Sequence, residues 1–201
     1  MIVTRAPVRL SIGGGGTDLP SYYRRYGSEV VFLGIDLYIR VASYPDEDPA
    51  DDFGGIVADG CRALGVAPHR IDIFSDVPES CGLGTSGALL VALVAATQNV
   101  ADPAYCAETA CRIEIEDIGR CVGKQDQYAA AYGGLAYMRI DPCGAVRIER
   151  QPRELADRLS EHLLIAYDGV KRNASRILED QARRTTASDQ QVLAGLHRCK
   201  A

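Results

Sequence analysis

The sequence holds no CxxC pair, no excess of basic residues and no long apolar run, and each absence closes off a class of function. Its seven cysteines (Cys61, Cys81, Cys106, Cys111, Cys121, Cys143 and Cys199) are odd in number and scattered, and its three histidines lie far apart. That pattern argues against zinc modules and disulfide frameworks and fits free thiols in a reducing compartment. With 22 lysines and arginines against 27 aspartates and glutamates, the formal charge is −5. Broad binding to nucleic acid or to an anionic membrane needs the opposite balance. The longest apolar run, Ala88 to Ala96, is far too short to span a bilayer, and the stretch MIVTRAPVRLSIGGGG has no signal-peptide core. The expectation is a cytoplasmic globular protein with a small-molecule partner and no nucleic-acid or membrane partner.

What is present is enough for a proper core: 201 residues, 47% of them hydrophobic. Strands are expected early, because VRLSI, EVVFLGIDLYIRVAS and HRIDIFSDV are rich in β-branched and aromatic residues and are bounded by Gly, Pro and Asp. Helices follow. One runs from Ser86 to about Val100 with an almost wholly apolar surface. A second starts at Asp102 and Pro103, a cap and first-turn pair, and reaches Ile118 before Gly119. KQDQYAAAYGG reads as a third, and LAYMRID with AVRIERQ as a hairpin. A further strand is expected over Leu163 to Tyr167, a helix over about 172–183, and a last helical stretch to the end. YPDEDPADDFGG reads as an acidic surface loop. Grouped strands rather than strict β-α alternation make this an α+β pattern.

Three glycine-rich or carboxylate-bearing stretches carry the chemistry. DVPESCGLGTSGALLVALVAA places Gly82, Gly84 and Gly87 at the mouth of an apolar helix, where the backbone can approach a ligand and unpaired N–H groups suit an anion, most simply a phosphate. No lysine follows the last glycine, so this is not a Walker A loop. The spacing satisfies GxGxxG, but Pro78-Glu79-Ser80-Cys81 separates strand from glycines and the elements do not alternate as a dinucleotide fold requires. Near the start, APVRLSIGGGGTDLP sets Arg9 before Gly13 to Gly16, Thr17 and Asp18. A hydroxyl and a carboxylate there can pair with sugar hydroxyls, or Asp18 can simply form the turn. The third stretch joins Glu114, in the second expected helix, to Asp126 in GKQDQ. Glu116 and Asp117 lie beside Glu114, so a solvated helix face is its plain alternative.

Taken together and in this order, PxxxGLGTSGA, APVRLSIGGGGTDLP and GKQDQYAAAYGG resemble the GHMP kinase superfamily, in its sugar-phosphate branch. The resemblance implies a GHMP kinase N-terminal domain over 1–158, a mixed sheet packed with helices that binds ATP and sugar. It implies the start of a second, ferredoxin-like α+β domain over 159–201. It also implies ATP and Mg²⁺, with Pro78, Gly82, Leu83, Gly84, Thr85, Ser86 and Gly87 around the nucleotide phosphates. Glu114 and Ser86 would hold the metal, although the choice between Thr85 and Ser86 stays open. Where the family usually writes GLGSSSA, Gly87 replaces the third hydroxyl. Asp126 would take or orient the proton of the sugar hydroxyl, with Arg9 beside it. Gly14, Gly15, Gly16, Thr17 and Asp18 would form the sugar end, and Lys171, Arg172 and Arg176 a grip for the substrate's own phosphate, for which Arg24 and Arg25 are a second candidate pair.

The reaction so implied is phosphorylation of the anomeric hydroxyl of a heptose 7-phosphate to the 1,7-bisphosphate. The alternatives are a kinase of an unphosphorylated sugar of fucose or galactose type, or a noncatalytic nucleotide-binding remnant. The family's third glycine-rich motif has no counterpart after Gly169, which points toward weak ATP binding, slow turnover and self-association after His162. A homodimer is left open.

Overall fold

A computed structural model describes residues 1–49, 55–171 and 174–200. Five strands form one sheet: β1 (Ile2–Gly13), β2 (Ser28–Tyr44), β3 (Arg70–Ser75), β4 (Leu135–Ile140) and β5 (Val146–Arg150). The spatial order is β1-β2-β4-β5, with β3 also paired to β2, and all four pairings are antiparallel. The long β2 organises the rest. On one side its first half pairs with β4 (Ser28↔Ile140) and its second half with β3 (Tyr44↔Arg70), while β1 runs along the other side. The β1–β2 register slips between Pro7↔Tyr38 and Arg9↔Gly34, so that β2 carries extra residues opposite Val8. Such a bulge bends the pair and re-aims side chains, and Arg9 stands immediately after it.

The helices are α1 (Pro20–Tyr26), α2 (Gly55–Ala63), α3 (Thr85–Gln98), α4 (Pro103–Cys111), α5 (Gln125–Tyr132), α6 (Arg153–Ser160), α7 (Ala174–Thr186) and α8 (Gln190–Cys199). The apolar surface of α3 is explained by burial on nearly every side: Leu90, Leu93 and Val94 pack with Val8, Ile39, Val41 and Ile71 of the sheet and with Ile113. Each such side chain contributes roughly 1.5–3 kcal/mol on leaving water. A second cluster joins Val30, Phe32, Met138 and Ile140 to Cys111, Tyr128 and Ala129, so α5 lies against β2 and β4. A small third cluster sets Leu193 and Leu196 of α8 on Tyr22 of α1, where the Tyr22 hydroxyl meets His197 Nδ1 at 2.7 Å.

Most expected elements are found close to where the sequence put them, and Asp102 caps α4 by accepting from the N–H groups of Ala104 and Tyr105. Two expectations are corrected. The helix expected to reach Ile118 as one regular piece becomes a π-helical segment over Arg112–Asp117, with Ile118 N–H bonded five residues back to the Ile113 carbonyl at 2.9 Å. The wider turn shifts Glu114 relative to an α-helical continuation, as π-bulges at functional positions do. The strand expected over Leu163–Tyr167 does not form. That stretch has no strand bonded to it, and Leu164 is 93% exposed. An apolar, β-prone run becomes a strand only against a partner edge. The acidic loop falls partly, and Arg172 wholly, outside the described residues.

Candidate active site

The glycine-rich stretch before α3 adopts the backbone its glycines allow. Ser80, Gly82 and Gly84 all have positive φ, and Gly84 occupies the cap position of α3 with no side-chain cap bond. Ser86 is therefore not the cap, and no side chain caps the first N–H groups of α3, an arrangement suited to an anion. Pro78 lies exposed on the approach, while Leu83 leans on the main core. The loop is tied to β1 by the Arg9 N–H bond to the Leu83 carbonyl (3.0 Å) and by Arg9 Nη1 to the Gly82 carbonyl (2.8 Å).

Arg9 also holds Asp126. Its Nε donates to Asp126 Oδ1 at 2.8 Å and its Nη2 lies 2.5 Å from the same oxygen, with the two side chains only 13% and 30% exposed. Asp126 Oδ2 has no bonded partner among the described residues and faces Gly84, where a Cβ would stand 3.2 Å from it. A Cβ on Gly87 would come within 2.8 Å of Asp126 Cβ and 3.0 Å of Gln127 N. The glycine that replaces the family's third hydroxyl is thus where α5 closes onto α3.

Glu114 is not a solvated helix-face charge. It is 1% exposed, and its Oε2 accepts from Gln127 Nε2 at 2.7 Å while Oε1 accepts from Arg120 Nη1 at 3.2 Å. Gln127, the residue after Asp126, thus ties Glu114 to the first turn of α5. Lys124 bonds both Glu108 oxygens at 3.2 Å and the Gly144 carbonyl at 3.0 Å, and the Tyr128 hydroxyl donates to Glu108, so these two side chains brace α5 rather than line a site. Burial, then the Glu108 bond, pushes the Tyr128 hydroxyl far above its usual titration range.

At the expected sugar end, the Thr17 hydroxyl is fully enclosed, 2.7 Å from both the Gly14 carbonyl and Ser28 Oγ. Asp18 is buried too, its Oδ1 accepting from Gly16 N–H at 3.1 Å and its Oδ2 from Gln125 N–H at 2.9 Å. Burial first, and the Asp126 charge further down, raise its carboxyl above the ordinary aspartate range; the Gln125 bond pulls the other way. Gly123 must be glycine for this, since a Cβ there would lie 1.9 Å from Asp18 Oδ2. Asp18 therefore braces the first turn of α5, leaving Gly15 and Gly16 as the accessible part of the turn. Gln181 of α7 reaches the Gly16 carbonyl at 2.8 Å, which brings the helix of Arg176 to this turn. Lys171 and Arg176 are exposed, as are Arg24 and Arg25 on α1, and among the described residues no hydrogen bond or ion pair joins any of the four to the Arg9–Asp126 centre. Sequence reasoning missed Gln127, Arg120 and Gln181; a polar run at a helix start and an arginine between Gly119 and Gly123 were the available signals.

A helix N-terminus without a side-chain cap lies beside an arginine-held carboxylate, and a second carboxylate is buried against the amide of the next residue, all on an α+β frame. Residues 53–134 match the family model described as "GHMP kinases N terminal domain". The chain is similar to D-glycero-alpha-D-manno-heptose 7-phosphate kinase of Campylobacter jejuni, 28% identical over 238 residues that cover 99% of this chain and 68% of that protein. Its fold is that of the crystal structure of a D-glycero-D-manno-heptose 1-phosphate kinase from Bacteroides thetaiotaomicron, with a TM-score of 0.67 at 23% identity, covering 98% of this chain and 76% of that one. A structure from Campylobacter jejuni described as a sugar kinase matches at a TM-score of 0.59 and 25% identity, covering 97% and 73%.

Proposed function

We propose that the protein transfers the γ-phosphoryl group of ATP to the anomeric hydroxyl of a heptose 7-phosphate, giving the 1,7-bisphosphate, in the cytoplasm. The observation that carries this reading is the position of Asp126, held by Arg9 through Oδ1 and facing Gly84 of the phosphate loop with Oδ2 unbonded among the described residues. An acceptor carboxylate directly beside a phosphate cradle is what alignment of a hydroxyl nucleophile requires. Asp126 takes the hydroxyl proton, the sugar oxygen bonds to the γ-phosphorus, and the bridging oxygen leaves with ADP. The N–H groups of the phosphate loop and of Thr85, Ser86 and Gly87 meet the phosphate oxygens, and Arg9 keeps Asp126 in place throughout.

The residues fit a divalent cation. Glu114 is buried and paired with the half-exposed Arg120, and the neighbouring Gln127 Oε1 has no donor among the described residues. Glu114 and a hydroxyl of Ser86 or Thr85 would hold Mg²⁺, which when bound neutralises phosphate charge. Gly15 and Gly16 form the sugar end, with Gly14 buried behind them, and Lys171, Arg172 and Arg176 supply the cations for the substrate's own phosphate, within residues 159–201 read as the opening of a second domain. The heptose assignment leans on the similarity to the heptose 7-phosphate kinase of Campylobacter jejuni.

A coupled ATPase assay against heptose 7-phosphate, heptose 1-phosphate, unphosphorylated heptose, fucose and galactose tests the substrate; turnover confined to the unphosphorylated sugars overturns it. Asp126→Asn is expected to lower kcat by on the order of 10² to 10⁴ with ATP affinity nearly unchanged. Near-normal turnover by that variant removes Asp126 from the chemistry.

A further inference from the structure

The first turn of α5 sends three consecutive side chains to three parts of the site. Gln125 meets Ser11 of β1, Asp126 meets Arg9 and the phosphate loop, and Gln127 meets Glu114. Gln127 is the most enclosed, 0% exposed, and its amide is only half satisfied: Nε2 donates to Glu114 Oε2, while Oε1 has no hydrogen-bond partner among the described residues. Turning the amide over gives no relief, because Oε1 would then face a carboxylate oxygen, acceptor against acceptor. Its backbone has little room either, with Gly87 of α3 packed close to Gln127 N. A buried acceptor without a donor is costly to keep, and it stands next to a carboxylate whose two oxygens are unlike. Oε2 is fixed by a buried neutral donor. Oε1 meets Arg120, 44% exposed on the stretch that follows Gly119, whose φ is +76°.

Resting on the reading of Glu114 as a metal carboxylate, we propose that Gln127 is a positioning residue for the cation site. Its Nε2 holds the Glu114 carboxylate in one orientation, with Oε1 presented on the side of Arg120, a cation that can be displaced by a divalent one. Its own Oε1 accepts from a donor that arrives with the cation's hydration shell. The neutral amide is the side chain that serves both purposes. A basic residue would repel the incoming cation, and an acidic one would repel Glu114.

Manganese is the probe, titrated into the full chain with a non-hydrolysable ATP analogue and followed by electron paramagnetic resonance. Gln127→Met is expected to weaken manganese binding about tenfold and to raise the magnesium half-saturation of turnover in parallel, with metal-free analogue binding unchanged. Gln127→Asn, which keeps the amide but shortens its reach, should act in the same direction and serves where the methionine lowers Tm too far. The exchange Glu114→Gln with Gln127→Glu restores a carboxamide–carboxylate pair. It should recover Tm without recovering manganese affinity, a split that mere packing would not produce. Unchanged manganese affinity in both Gln127 variants, while Glu114→Gln weakens it, overturns the positioning role alone; so does full recovery of affinity in the exchange. If Glu114→Gln is silent too, or wild type binds no manganese beyond that held by the analogue, the metal assignment falls and the proposal with it.

Discussion

At the scale of single residues, the site is a set of carboxylates distinguished by their neighbours. Asp126 has an arginine, Glu114 a buried amide and an exposed guanidinium, and Asp18 only backbone N–H groups. The fold moves the titration of Asp18 upward, with burial as the main cause. Because the folded state holds this proton more tightly than the unfolded state, the stability linked to it is complete below the unfolded value of about 3.9. It is lost as pH rises through the raised folded value. Asp18→Asn removes that dependence and leaves one backbone N–H facing an amide N–H₂, at a cost of roughly 1–3 kcal/mol. In urea unfolding between pH 4 and pH 7, the stability gap between wild type and variant is therefore expected to be widest at pH 4 and to narrow as pH rises. A gap that widens with pH would mean the ionised carboxylate is the favoured form.

At the scale of elements, the site depends on how closely α5 sits on α3. Gly87→Ala tests this, because the added Cβ would meet Asp126 and the Gln127 backbone rather than a yielding side-chain end. Overpacking costs about 1–3 kcal/mol, against about 1 kcal/mol gained from alanine's helix propensity. The net loss, up to about 2 kcal/mol, should lower Tm by as much as roughly 8 °C and shift Asp126 enough to reduce kcat severalfold; a variant that is more stable and fully active shows that the two helices have slack. The contact also shows what the sequence could disclose. The glycine spacing, the Asp102 cap and the β-branched and aromatic run of β2 are local signals, so the glycine-rich loop, the start of α4 and the five strands that form were legible. Helix α1 was not, since Pro20, Gly27 and two buried tyrosines resemble a turn until α8 covers Tyr22. Nor was the π-helical segment, because its sequence, RIEIED, differs from an α-helical one only in where it must deliver Glu114. Asp18 and Thr17 read as ligands for a sugar because nothing local reveals that their oxygens are already engaged.

At the scale of the whole molecule, two regions differ in how they are held. The sheet and α3 to α5 share continuous cores, whereas residues 161–171 form no helix or strand and expose Leu164, Tyr167 and Val170. Extended exposed backbone is where proteases act first. Brief chymotrypsin treatment is expected to cut beside Leu164 or Tyr167 before any site in residues 1–158, and Leu164→Glu should reduce both dye binding by exposed apolar surface and light scattering. First cleavage within α3 or β2 would refute that order of protection. The Arg9–Asp126 bond closes a loop of 117 residues, which has a consequence for synthesis. At about 5–20 residues per second, a ribosome needs roughly 6–23 s to make the partner after the arginine. For that interval a guanidinium meant for a half-buried site stands beside an unfinished sheet, with the Gly82 carbonyl as its nearest substitute. The Arg9–Asp126 pair is thus assembled only after residue 126 has been made, and a slow codon or a pause ahead of residue 126 would lengthen the time in which the chain is most in need of a chaperone.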